Sequence, residues 1–232
     1  MRLSAASLAG LFLLGAAGGL IGDQGHVASG TTAYLAPARS VPFIWQSPLW
    51  FPVLVGLLTA SLAELRLRLA PALILARWSD GVAAVAAVLA LYAITALVRH
   101  QPLAASTVLV YALAAVIWRA LGGNLPAALC GVLAAIVGVC SEIALVGAGV
   151  FEYSHQIDRL AGVAPWLPAL YFAFGAVAAR LAELCAHEVV TIRTAAARPA
   201  SMRWLPASRK GGTPMPTARQ SSAQGASRRL DS

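Results

Sequence analysis

Charged side chains are what this 232-residue chain has least of: Asp, Glu, Lys and Arg together make up 11 % of it, where soluble domains carry about 25 %. With 59 % hydrophobic residues and a mean hydropathy of +0.75, a water-soluble globule is excluded and an integral membrane protein is expected. Cysteines number only three, too few for a disulfide framework. Cys130 and Cys140 lie on one apolar run, about 15 Å apart along a helix, beyond bridging distance. Neither GxSxG nor HExxH occurs, since His187-Glu188 lacks the second histidine. No cysteine–histidine pair has an orienting acid, so catalysis is not visible and no cofactor is implied. There is also no internal repeat, and no inverted pair of broken segments of the kind transporters use.

What the chain does have is six apolar runs, near 4–22, 48–66, 81–98, 102–120, 126–149 and 166–186. Each is close to the roughly 20 residues a helix needs to cross a bilayer. The expected fold is an all-α integral membrane protein, a six-transmembrane-helix bundle over 1–193 followed by a disordered basic C-terminal tail, 194–232. Ser47-Pro48 reads as N-cap and first helical residue of the second run. Ser79-Asp80 caps the third, Gln101-Pro102 turns between third and fourth, and Gly122-Gly123 stops the fourth. The first run also reads as a cleaved signal peptide, with Arg2 ahead of it and small residues near Ala16-Ala17. Its length favours a retained helix.

Positive charge sets the orientation. With the N-terminus in the cytoplasm, 14 of the 17 Lys and Arg fall inside, and only Arg39, Arg99 and Arg159 outside. The positive-inside rule then puts both termini in the cytoplasm. From Arg193 onward there are eight basic residues and one acid, Asp231. Such a segment suits loose contact with an anionic leaflet or plain solvation. It lacks the interleaved aromatics and the fold that nucleic-acid binding needs.

The stretch SVPFIWQSPLWFPVLVGLL, residues 40–58, places Trp45 and Trp50 at the outer interface, where amphipathic rings suit headgroup depth. Anchoring is one reading of them, and a place in a ligand site is the other. Pro52 and Pro168 add a second expectation, that each frees a carbonyl at an outer helix end, as tolerated beside a cavity or ligand. Glu142 is the one acid well inside a span, about 24 Å up the fifth helix; it is either structural, paired with Arg99 or Arg159 or protonated, or part of a ligand site. Three outer histidines (His26, His100, His155) sit among carboxylates but match no metal-ligand spacing. Arg180 and Glu183 read as an interfacial pair that snorkels. Small residues on the fifth helix (Gly131, Ala135, Gly138) and the sixth (Gly175, Ala179, Ala182, Ala186) suit close packing within or between chains, and motivate a homo-oligomer. Together Gln24, Trp45, Gln46, Trp50, Pro52, Glu142, Tyr153 and Trp166 form an expected lipid-binding rim for an amphiphile with a small uncharged head, a diacylglycerol-like lipid or a sterol. The competing expectation is a transporter or membrane enzyme using the outer His/Asp/Glu cluster.

The pieces IWQSPLWFPVLVGLL (44–58) and GVFEYSHQIDRLAGVAPWLPALYFAFGAVAARLAEL (149–184) resemble the insulin-induced gene (Insig) family. Val150, Tyr153, Trp166, Leu167, Pro168 and Gly175 sit where that family's last hairpin and sixth helix want them. GDQGHV (22–27) looks like the first outer loop of bacterial relatives. The resemblance implies a non-enzymatic lipid sensor or scaffold. Animal members bind oxysterols and hold back the escort protein Scap, and the acid of the Phe-Asp-Arg that ends their fourth helix is tied to Scap binding. Ile117-Trp118-Arg119 stands here without that acid, so a Scap-type partner is not expected. Arginine outnumbers lysine 16 to 1, which points to a GC-rich bacterial genome and a plasma membrane, or the endoplasmic reticulum if the host is eukaryotic.

Overall fold

The computed structural model describes residues 2–70 and 77–196, with side chains to 186. From residue 197 on, the expected tail lies outside the described residues. Six helices are long and apolar enough to cross a membrane: α1 (Ala5–Ser29), α2 (Trp50–Leu69), α3 (Trp78–Leu97), α4 (Leu103–Ala120), α5 (Leu125–Gly147) and α6 (Leu167–Ala196). They alternate in direction. One end of the bundle carries the start of α1, the end of α2, the start of α3 and the 121–124 turn. The other, the strand end, carries β1 (Thr32–Tyr34), β2 (Phe43–Ile44), β3 (Ser47–Pro48) and β4 (Phe151–Tyr153). β1 pairs antiparallel with β4 in the register Thr32 to Tyr153, and β2 pairs with β3 across a Trp45-Gln46 turn.

α1 runs seven residues past its expected end at 22 and makes GDQGHV helical, not a loop. Nothing in 23–29 breaks a helix, and the polar side chains there find partners without leaving it. Gly30, at φ 71°, stops α1 by turning left-handed and donating its N–H to the carbonyls of His26 and Val27. Ser47-Pro48 is not a helix cap. Ser47 donates its hydroxyl to Asp23 instead, Pro48 pairs with Phe43 in the hairpin, and α2 begins two residues later. Pro52 and Pro168 therefore lie in the first turns of α2 and α6. First-turn N–H groups have no intrahelical acceptor, so neither proline frees a carbonyl, and the expectation of two loosened helix ends is corrected. α3 starts at Trp78, with Asp80 accepting the Arg77 N–H at 3.2 Å.

α6 is the central post. Through its spanning window 83 % of residues are buried, against 17–39 % in the other five. Its face of Ala173, Ala176, Ala178, Ala179 and Ala182 lets neighbours come close. A Cβ on Gly175 would stand 2.5 Å from the Cys130 carbonyl oxygen and 2.8 Å from the Gly131 Cα. Gly131, Gly138 and Gly175 of the small-residue faces are thus spent on packing α5 against α6 inside one chain. Gly175→Ala is expected to lower stability by about 1–3 kcal/mol through overpacking, read as a drop in thermal midpoint in detergent.

Arg180 and Glu183 do not snorkel. Glu183, 1 % exposed, accepts from Arg66 Nε at 3.0 Å and Nη2 at 2.6 Å on one oxygen, and from Arg180 Nη1 at 2.9 Å on the other. Arg180 Nη2 goes on to Asp80 at 3.1 Å. Two arginines and two acids so tie α2, α3 and α6 together at the end opposite the strands.

Candidate functional site

Two spaces lie among the helices, one reaching from mid-bundle toward the end opposite the strands and one under the strands. The first is a narrow apolar slot of about 50 Å³ bounded by α1, α2, α3 and α6, smaller than a ligand pocket. Gly15, Gly18 and Gly19 make its α1 wall; Val55 and Thr59, Val88 and Leu89, and Phe174 and Val177 face them. Gly15 and Gly19 are pressed against α2: a Cβ on Gly19 would meet Val55 at 2.8 Å, and one on Gly15 would run into Thr59. Gly18 is different. Its nearest neighbour would be Leu89 Cδ2 at 3.8 Å, so its missing side chain is open space in the slot. Thr59 does not make the slot polar, because its hydroxyl donates to the Val55 carbonyl at 2.8 Å.

The second space, about 20 Å³, is a water-sized polar chamber under the strands, lined by Asp23, His26, Thr32, Tyr34, Tyr92, Glu142 and Tyr153 among others. Asp23 accepts hydroxyls from Tyr34 at 2.9 Å and from Ser47. Glu142 accepts from Tyr153 at 2.5 Å and Tyr171 at 2.6 Å, not from Arg99 or Arg159. Arg99 instead donates to the Gly30 carbonyl at 3.2 Å, and Arg159 stands beside Asp158. Burial first, then the charge of the neighbouring carboxyl, pushes the Tyr34 and Tyr153 phenols far above their ordinary value, so both remain donors. His26 Nε2 lies 2.8 Å from Thr95 Oγ1, which spends its proton on the Tyr92 carbonyl at 2.7 Å. Nε2 is therefore a protonated nitrogen of the His26 ring and donates to Thr95.

Tyr92 lines both spaces. Its ring lies on Gly22, where a Cβ would meet Cδ1 at 2.6 Å, and 5.0 Å from the His26 ring centroid. It is the partition between slot and chamber.

Of the eight residues expected to form a lipid rim, the chamber gathers Glu142 and Tyr153. Trp166, 1 % exposed, packs edge-on against His26 and Tyr153. Trp50 meets Tyr34 edge-to-face, and Pro52 is buried in the first turn of α2. Gln24 accepts the Gln46 N–H at 3.1 Å and pins the hairpin to α1. Trp45, 67 % exposed at φ 56°, and Gln46 stand out on the turn. None of the eight lines the slot. The signal for it lies on α1: Gly15-x-x-Gly18-Gly19-x-x-Gly22 is a close-approach pattern twice over. The histidines do not converge. His155 is exposed beside Asp158, and His100 is exposed; among the described residues no three His, Cys, Asp or Glu side chains are placed to hold a metal.

No protein-family model matches the chain. A protein named INSIG protein homolog, from Mycolicibacterium vanbaalenii, is 53 % identical over 191 residues, or 79 % of this chain and 89 % of that protein. The crystal structure of MvINS, a mycobacterial Insig homolog from Mycobacterium vanbaalenii, is 51 % identical with a TM-score of 0.77, covering 80 % of this chain and 97 % of its own. A cross-linked trimer of MvINS gives the same score and coverage at 50 % identity. At that identity and coverage the chain belongs to the Insig family.

Proposed function

We propose that this protein is a non-enzymatic lipid sensor or scaffold that holds one neutral lipid, a diacylglycerol-like lipid or a sterol, between its helices. The observation that carries the reading is the slot. Fourteen side chains and glycines from four helices line it, and of the two hydroxyls among them Thr59 spends its proton on the Val55 carbonyl. Such a lining matches the chemistry of acyl chains or fused rings, which enter only if the helices part, and offers a charged group nothing. At the strand end of the slot the nearby polar groups are acids and hydroxyls, with no Lys or Arg among the chamber's lining. A phosphate would meet like charge there, so the head must be uncharged.

The protein works as a homo-oligomer in this reading, supported by the trimer in which the 50 % identical MvINS was crystallised after cross-linking. Both termini face the cytoplasm, in a bacterial plasma membrane, because that orientation puts the basic excess inside. In a cysteine-free background, Ser40→Cys and His155→Cys should react with an impermeant maleimide on intact cells, while Arg68→Cys should react only after permeabilisation. All three sites are exposed, so the reverse pattern inverts the topology. The lipid itself is tested by identifying what co-purifies from gentle detergent.

A further inference from the structure

We infer that the open groove at the strand end is a phospholipid site, in which Arg39 and Arg99 hold the phosphate of an anionic glycerophospholipid. It is separate from the slot and stands whether or not the slot takes a lipid.

The groove, about 520 Å³, lies between the end of α1, β1, the short 3-10 helix Ala36–Ser40 and the β2–β3 hairpin, within the size range of ligand pockets. Of its lining residues Gly30, Ala33, Arg39, Trp45 and Gln46 are exposed, so a ligand reaches it without parting any helices. Arg39 has no hydrogen bond or ion pair among the described residues. Arg99 comes to the same groove from beyond the end of α3. Its Nη1 donates to the carbonyl of Gly30 at 3.2 Å and would stand 3.1 Å from a Cβ on that residue. That bond uses one of five guanidinium donors. Two of the three arginines at the strand end therefore border one groove, and arginine forks match phosphate oxygens in pairs. Among the described residues no acid lines it. Asp23 is buried and accepts from Tyr34 and Ser47, and Glu152 stands opposite Ala33 on the β1–β4 ladder.

The apolar edge of the groove names a lipid as the source of that phosphate. Ile44, Trp45 and Leu49 stand out from the hairpin, and Val53, Leu54 and Leu57 from α2, which starts just beyond it. Acyl chains cover such surface on a spanning helix while the head stays in the groove. Trp45 is held out at φ 56°, a turn conformation that normally falls to glycine or asparagine, and so presents an indole at headgroup depth. A zwitterionic head would bring its own cation toward two arginines; an anionic head brings none.

Full-length protein in phosphatidylcholine bilayers tests this, with a minor fraction of the lipid carrying brominated, tryptophan-quenching chains as phosphatidylglycerol or as phosphatidylcholine. The Trp45 share of the quenching is the difference from Trp45→Phe. Brominated phosphatidylglycerol should reach a given Trp45 quenching at about one tenth the level of brominated phosphatidylcholine, the worth of one charge-assisted hydrogen bond. Arg39→Gln should weaken that preference and the double variant Arg39→Gln, Arg99→Gln should erase it. Because Arg39 has no partner to lose, Arg39→Gln should melt with the wild type, which separates lost binding from lost folding. Gly18→Phe, which fills the slot, should keep the preference. Soluble glycerol 3-phosphate in excess should leave the quenching in place; relief of it would make this a free-phosphate site and overturn the lipid. Equal quenching by the two brominated lipids in the wild type, or a preference that survives the double variant, overturns the site.

Discussion

Glu183→Gln is expected to destabilise the bundle by about 3–5 kcal/mol, the range for stranding the partner of a buried ion pair. Glu183 receives three hydrogen bonds from two arginines, Arg66 and Arg180, that are themselves 4 % and 8 % exposed. With the carboxylate gone, two guanidinium groups share the single acid Asp80, which touches only Arg180. The strain falls on the central helix, so the loss should appear as one lowered thermal midpoint and not as fraying at an end. The exposed pair Arg68–Glu64, 3.7 Å apart with Arg68 66 % exposed, is the internal control. Arg68→Ala should cost less than about 1 kcal/mol. Replacing Arg66, Arg180 and Glu183 together by apolar residues should recover much of the Glu183→Gln loss, because a fully apolar contact leaves no charge stranded.

The helix count, and the approximate position of each span, were legible because the apolar runs are long and separated by Gly, Pro and charged residues. Helix ends were less so. The end of α1 was misplaced because Asp23 and His26 look like loop residues until Ser47, Tyr34 and Thr95 are known to lie beside them. Ser47-Pro48 has a helix-start signature, and only the pairing with Phe43 overrides it. A small-residue face carries no information about whether its partner is in the same chain; α6 proved to be the post around which the other helices pack, and its face was consumed internally. The same ambiguity hid the ion network. Arg180 and Glu183 sit three residues apart, as a snorkelling pair would, and Arg66 is 117 residues from Glu183. The aromatic residues of 40–58 place the expected rim at the hairpin, where Trp45 is an exposed turn residue. The glycines of α1, which leave the slot open, have no side chains to attract notice.

Gly18→Phe should abolish lipid retention in a protein that still folds. Gly18 lines the slot, and a Cβ added there would have its nearest neighbour 3.8 Å away, so a phenyl group fills ligand space and need not displace a helix. Gly19→Phe would instead drive a side chain into Val55 at 2.8 Å and should unfold the α1–α2 contact. The expected pattern is a loss of bound neutral lipid of more than about tenfold in Gly18→Phe, equivalent to more than about 1.4 kcal/mol, with a melting curve still cooperative. Gly18→Ala, which fits at van der Waals distance, should keep its lipid. A lipid's chains leave a bilayer interior as apolar as the slot, so packing in the slot must decide retention, and steric filling is its most sensitive probe.

The most direct measurement is the lipid inventory of the wild-type protein after gentle detergent purification, compared by mass spectrometry with the membrane it came from and with Gly18→Phe prepared alongside. Binding in the slot predicts one class of neutral lipid, a diacylglycerol or a sterol, at close to one per chain, enriched over the membrane and missing from Gly18→Phe. Bulk phospholipids in membrane proportions, alike in the two preparations, would contradict it.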